Sequence, residues 1–247
     1  MKYSDEFRDL VLKGDKENYI GLGNPNSKIL IIGKEAAFDP SVESKLGEYH
    51  SNTSNWYASV DNDIPSIFSK AYMPKDSALL NHNHTWQKYQ LIHDNIFPEL
   101  KPKEKYYINF VENIFTTEMS NLPSPKTADA QKNERFKESL ANRKKTFFNS
   151  DFIKNQFQVV LIAGMGYINN YGEGESREID NIFGVSFVSP EQIVKTTNGT
   201  QKFWIHRNEE KLVIQTRQFS NGVSNALILR IAETIKIFLT EKNNTNH

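Results

Sequence analysis

Five polar residues stand where apolar runs end, and their types suit chemistry. Glu35 follows Lys34 directly after Ile29-Leu-Ile-Ile-Gly33. A carboxylate in that place can take a proton, orient a water or face a developing positive charge. Asn109 ends the run that begins at Tyr106. Its amide offers both a donor and an acceptor, which suits one edge of a pyrimidine. Arg217 and Gln218 follow the run from Lys211 to Gln215. The first is a fixed cation that keeps its proton at neutral pH, the second a neutral donor. Ser220 precedes the final helix and could grip a phosphate through its hydroxyl and backbone N–H. Each has a plainer alternative: a solvated Glu at a strand end, an Asn holding a loop, an N-cap serine.

Positioning these groups requires strands that end together. Ile29–Ile32 is an apolar, mostly β-branched run stopped by Gly33, the pattern of a buried parallel strand. Further strands are expected from Tyr106 to Ile114, over Gln158–Ala163 with a Gly164-Met-Gly166 turn after it, and over Lys211–Gln215. Helical spacing marks residues 4–13 with Ser4 as N-cap, 85–100, 129–149 and Asn225–Leu239. Residues 39–84 show no period and read as a long polar loop with short helices, one near Pro65–Tyr72. Residues 185–205 have room for an extra hairpin, and residues 240–247 read as a disordered tail. Strands alternating with helices imply a three-layer αβα sandwich around a mainly parallel four-stranded sheet, as a single domain spanning residues 1–247. In such sheets ligands bind just past the carboxyl ends of the strands.

Composition narrows the function. Lys plus Arg and Asp plus Glu both total 30, so the net charge is zero and no basic coat covers the protein, although a local basic groove remains allowed. The chain has no cysteine, which rules out disulfides, thiolate zinc sites, iron–sulfur clusters and a Cys nucleophile. No apolar run approaches the ~18 residues of a membrane span, and the amino terminus lacks an apolar leader. A cytoplasmic monomer without cofactor or metal is expected. His82-Asn-His84 has a metal-compatible spacing but no third ligand. His206 and Arg207 face either a crevice or solvent, and Arg143-Lys-Lys145 reads as a solvated helix face. Gly164-Met-Gly166 lacks a full phosphate-cradling pattern.

The order Gly33-Lys34-Glu35, Asn109, Gly164 and Arg217-Gln218-Phe219-Ser220 resembles the uracil-DNA glycosylase superfamily. There one strand ends in a Gly-Gln-Asp-Pro-Tyr-like motif, a second in a base-reading Asn, a third in a Gly turn, and the last in His-Pro-Ser. The resemblance covers about Ser27 to Leu239 and rests on order, since no motif is intact. Glu35 replaces the water-activating Asp, Ala36-Ala37 replaces Pro-Tyr, and either Gln218 or Arg217 takes the place of the His. Near Ser220 only Asn221-Gly222-Val223 stands where an apolar wedge would be. The resemblance implies hydrolysis of a base–sugar N-glycosidic bond, of uracil or another modified base, in single-stranded or damaged DNA. Glu35 would then face the sugar, Arg217 or Gln218 the departing base, Asn109 its edge, and Phe38, Trp56 or Tyr57 its flat face. A catalytically silent nucleobase- or nucleic-acid-binding module and a hydrolase of free nucleosides are the alternatives.

Overall fold

Runs of Ile, Leu and Val build the centre of a sheet, and the chain order decides which ends meet. The computed structural model describes residues 2–16, 18–36, 43–71, 84–124, 126–169, 177–197, 199–220 and 222–245, with backbone alone for 43–50, 84 and 245. The strands are β1 (Leu22–Gly23), β2 (Ile29–Gly33), β3 (Phe115–Glu118), β4 (Val159–Ile162), β5 (Ser186–Thr196), β6 (Gly199–Arg207) and β7 (Leu212–Thr216). They form one seven-stranded sheet in the order β1-β3-β2-β4-β7-β6-β5. The neighbours β3, β2, β4 and β7 are parallel. β1 adds antiparallel to β3, and the β5–β6 hairpin adds antiparallel to β7.

The fold is therefore α/β, but the sheet is mixed and not the four-stranded, mainly parallel one expected from the sequence. The parallel strands β2, β4 and β7 are buried throughout. β5 is exposed or half-buried along its whole length, as an antiparallel edge facing water is. The room for a hairpin over residues 185–205 is filled by β5 and β6. Their register shifts between Val188 and Gln192, around Pro190.

The strand expected at Tyr106–Ile114 is displaced. Tyr106 has φ of 73°, a left-handed conformation that no strand continues through, and Phe110–Glu112 is a turn of 3₁₀ helix. The strand itself is the next segment, β3.

The α-helices are α1 (Asp5–Leu12), α2 (Glu43–Asp61), α3 (His84–Ile96), α4 (Thr127–Ala130), α5 (Phe136–Lys145), α6 (Asp151–Gln156), α7 (Glu178–Phe183) and α8 (Asn225–Thr245). Alternate residues of each central strand face opposite layers. Leu30, Ile32, Val160 and Val213 pack with Phe7 of α1, Trp56 of α2, Phe136 of α5, Phe152 of α6 and Ile179 of α7. Ile29, Ile31, Leu161 and Ile214 pack with Ile92 of α3 and Leu227, Ile231 and Ile235 of α8. Helices thus cover both faces of the sheet.

α1 is capped as its sequence predicts, with the Phe7 N–H donating to Ser4 Oγ. α8 runs to Thr245, beyond Leu239. α2 occupies 19 residues of the stretch expected to be a loop. Its inward stripe is Asn52, Thr53, Trp56, Ser59 and Val60, all buried. That is helical spacing carried mainly by polar residues, which hides it from a search for apolar ones. Asn52 meets a polar need: its Oδ1 accepts from the N–H groups of Ile20 and Gly21 and its Nδ2 donates to Gly21 O. No helix among the described residues is long and apolar enough to cross a membrane.

Candidate active site

Among the parallel strands, β3 lies on one side of β2 and β4 on the other. The direction of winding reverses there, and such a reversal opens a crevice past the carboxyl ends of the strands. The segment leaving β2 enters that crevice on a fixed backbone. Met119, Ser120 and Ser124 N–H groups donate to the carbonyls of Gly33, Lys34 and Ala36 at 2.9, 2.8 and 3.1 Å. The ladder between β2 and β3 continues past both strands in this way, with Glu35 on its length.

Glu35 is 9% exposed. Tyr167 OH donates to its Oε2 at 2.5 Å, and Thr127 Oγ1 donates to its Oε1 at 2.6 Å. The Gln218 amide lies 3.4 Å from the same Thr127 hydroxyl. Four chain segments therefore meet: the ends of β2, β4 and β7, and α4 beyond β3. Tyr167 reaches Glu35 because the Gly164-Met-Gly166 turn bends the chain after β4. Tyr167 N–H donates to Gly164 O, and Gly166 takes a φ of 87° that suits glycine. The Lys34 ammonium lies 5.0 Å from the centre of the Tyr167 ring. Burial, the bond to Glu35 and the nearby carboxylates hold the Tyr167 hydroxyl firmly in its protonated, donating form.

A second carboxyl stands beside the first. Glu118 ends β3 directly opposite Gly33. A Cβ at position 33 would lie 2.1 Å from Glu118 Oε2, so only glycine leaves space for this carboxyl. Burial and then the charge of Glu35 push Glu118 up to about 8, against the opposing pull of Arg143. Arg143 is wholly buried, in contrast to the solvated face expected of Arg143-Lys-Lys145. Its guanidinium donates to Glu118 O, Tyr19 O and Thr117 Oγ1 and stacks 3.9 Å from the Phe147 ring centre. Three elements are tied by that one side chain, which accounts for its place inside.

The other predicted residues separate. Of the two candidates for the leaving-group side, Gln218 lies beside the site with its amide oxygen 3.4 Å from the Thr127 hydroxyl, while Arg217 is exposed with its guanidinium over Gly222. Asn109 precedes β3 and sits at the amino-terminal end of the parallel strands, away from Glu35. Its amide is occupied: Nδ2 donates to Leu100 O at 2.8 Å and Oδ1 accepts from Gln90 Nε2 at 2.7 Å. Trp56 is fully buried in the core and donates from Nε1 to Gly21 O, so it offers no stacking face. Tyr57, next on the helix, is 42% exposed. Ser220 is half-buried in the turn before α8, whose first turn is capped by Ser224, accepting from Leu227 N–H. Phe38 and His82 lie outside the described residues.

His206 meets neither crevice nor solvent. It is buried on β6 with Nδ1 2.7 Å from Asp180 Oδ1 of α7, and burial lowers its pKa against the pull of Asp180. Among the described residues no group of three or more His, Cys, Asp or Glu is placed to hold a metal. An open groove between α5 and α7 carries Lys137, Lys144, Lys145 and Arg177, with Glu178 bound to Lys144 at 2.7 Å. Asn169 at its rim is two residues from Tyr167.

Thr127, Tyr167 and Glu118 were not singled out by sequence reasoning. Tyr167 carried a signal, since it follows a glycine turn at a strand end. Glu118 becomes visible only once Phe115–Glu118 is known to be the strand. The chain matches no protein-family model, no curated protein and no solved structure.

Proposed function

We propose that the chain hydrolyses an N-glycosidic bond between a base and a sugar, as a divergent uracil-DNA glycosylase-like enzyme. The observation that carries this reading is Glu35, gripped by Tyr167 and Thr127 with Gln218 alongside, at the carboxyl ends of the parallel strands. Breaking the bond builds positive charge on the sugar and negative charge on the base. The Glu35 carboxylate opposes the first and orients the attacking water. Its two hydroxyl partners fix its orientation before substrate arrives. Gln218 is the neutral donor facing the base carbonyl. Reading of the base edge does not fall to Asn109, whose amide is already taken. The cations of the groove between α5 and α7 favour a substrate that carries phosphates, hence an oligonucleotide over a free nucleoside.

A second reading has its own support. Both Glu35 oxygens already accept a hydroxyl, which also suits a carboxylate that only shapes a binding pocket. One assay separates the two. Oligonucleotides holding uracil, hypoxanthine or xanthine, and the matching free nucleosides, are incubated with the protein and released base is measured. The enzyme reading expects release, lowered roughly 10²-fold or more by Glu35→Gln. Base or oligonucleotide binding that survives Glu35→Gln, with no release by the unaltered protein, establishes the binding module instead.

A further inference from the structure

We propose that Glu118 is the general acid of this site, donating its carboxyl proton to the departing base while Glu35 serves the sugar and the water. The role rests on the glycosidic reading given above, and it assigns to that reaction a residue with no counterpart in the motif order that suggested it.

Three features of the fold carry the assignment. Glu118 closes β3 at the same sheet end as Glu35, opposite Gly33, two residues before Glu35 on the neighbouring strand. The missing side chain at Gly33 creates the space its carboxyl fills. The groups around it favour the neutral acid. Glu35 is a second carboxyl, and Tyr89 of α3 and Tyr167 after β4 are uncharged phenols. The Arg143 guanidinium pulls the other way but also donates to Glu118 O, Asn18 Oδ1, Tyr19 O and Thr117 Oγ1, and burial and the Glu35 charge outweigh it. A carboxyl whose surroundings keep its proton on it can serve as the acid beside a second carboxyl that serves the water. Glu118 holds its proton at neutral pH, pushed up to about 8.

The step balances. As the bond from the sugar carbon to the base nitrogen breaks, its electron pair goes to the base, and the Glu118 proton moves to a base nitrogen or oxygen. Water adds to the sugar carbon and gives its proton to Glu35. Solvent returns that proton to Glu118, and one water is consumed. The preferred substrate class follows. A base that leaves as a neutral molecule after taking up a proton, such as a purine, needs this acid. A uracil-type base that leaves as a delocalised anion needs it less.

The test compares release of hypoxanthine from an oligonucleotide with release of nitrophenolate from 4-nitrophenyl 2-deoxyriboside, whose leaving group needs no proton, between pH 5 and 10. Glu118→Gln is expected to lower hypoxanthine release roughly 10²-fold and nitrophenolate release by at least tenfold less. It is also expected to abolish the decline in hypoxanthine release that the unaltered protein shows above pH about 8. Equal losses on both substrates, or a decline that persists in Glu118→Gln, overturn the role. A carboxyl ¹³C titration, assigned by difference against Glu118→Gln, reports on the proton without any turnover. A midpoint near the ordinary glutamate value of about 4.5 overturns the assignment by itself. Failure of the unaltered protein on every substrate overturns the glycosidic reading and the acid role together, whereas failure of the titration alone leaves that reading standing.

Discussion

The two ends of the parallel strands each bury a polar cluster, and the clusters are built on opposite principles. At the amino-terminal end Gln90, His93, Asp94, Asn109 and Asn113 interlock. Gln90 Oε1 accepts from the N–H groups of Asn109 and Phe110, and its Nε2 donates to Asn109 Oδ1 and Asp94 Oδ1. With Asn113 Nδ2 donating to His93 Nε2, the His93 proton falls on Nδ1 and points to Asp94. Donors meet acceptors throughout, which is how a buried polar network stabilises a fold. At the carboxyl-terminal end two carboxyls lie near each other, the buried Glu35 held by two hydroxyls and Glu118 facing the Arg143 guanidinium. Like charges brought together out of water cost stability. The first cluster is explained by folding alone, and the second is the one the proposed chemistry would use.

Single substitutions test that division. The largest effect belongs to Glu35→Gln, which is expected to remove ~10²-fold of the base-release rate while the melting temperature stays within a few degrees. Asn109→Ala is the mirror image. It strands the Gln90 amide and the Leu100 carbonyl, so urea unfolding is expected to show a loss of about 1–3 kcal/mol, with base release per folded molecule unchanged within ~3-fold. Loss of activity without loss of stability in Asn109→Ala would erase the contrast. Tyr167→Phe takes one of the two hydroxyls from Glu35. It should lower the rate of base release per folded molecule about tenfold, read beside a melting temperature that moves little.

The smallest effects are in pH dependence, and the two ends oppose each other. His93 is lowered by burial, so its contribution to stability is complete above the unfolded value of about 6.5 and is lost as pH falls below it. Glu118 is raised, so its contribution is complete below about 4.5 and is lost as pH rises towards about 8. Urea unfolding across pH 4–9 should show the alkaline loss disappear in Glu118→Gln and the acid loss shrink in His93→Gln.

Much of the sheet was legible because its central strands are buried on both faces and read as unbroken apolar runs. Ile29–Gly33, Val159–Ile162 and Leu212–Thr216 match that pattern within a residue or two. Phe115–Glu118 did not, since Thr116 and Thr117 interrupt it and the more apolar Tyr106–Ile114 lies just before. That displacement carried Asn109 to the wrong end of the sheet. α2 escaped because Asn52, Thr53 and Ser59 form its inward stripe. At the site Glu35 and Gln218 were visible as strand-end residues. Thr127 was not, because a hydroxyl on a one-turn helix in a polar connection has no signature, and its partnership exists only in three dimensions.

The outer margins of the sheet have a consequence for how copies of this chain meet. One margin is β1, two residues long, and the other is β5, where Pro190 has no N–H to give and the register slips beside it. A strand from a second molecule finds two residues to pair with at β1 and a row interrupted at Pro190 along β5. The architecture thereby discourages fibre-like growth while leaving its broad apolar strands at the centre.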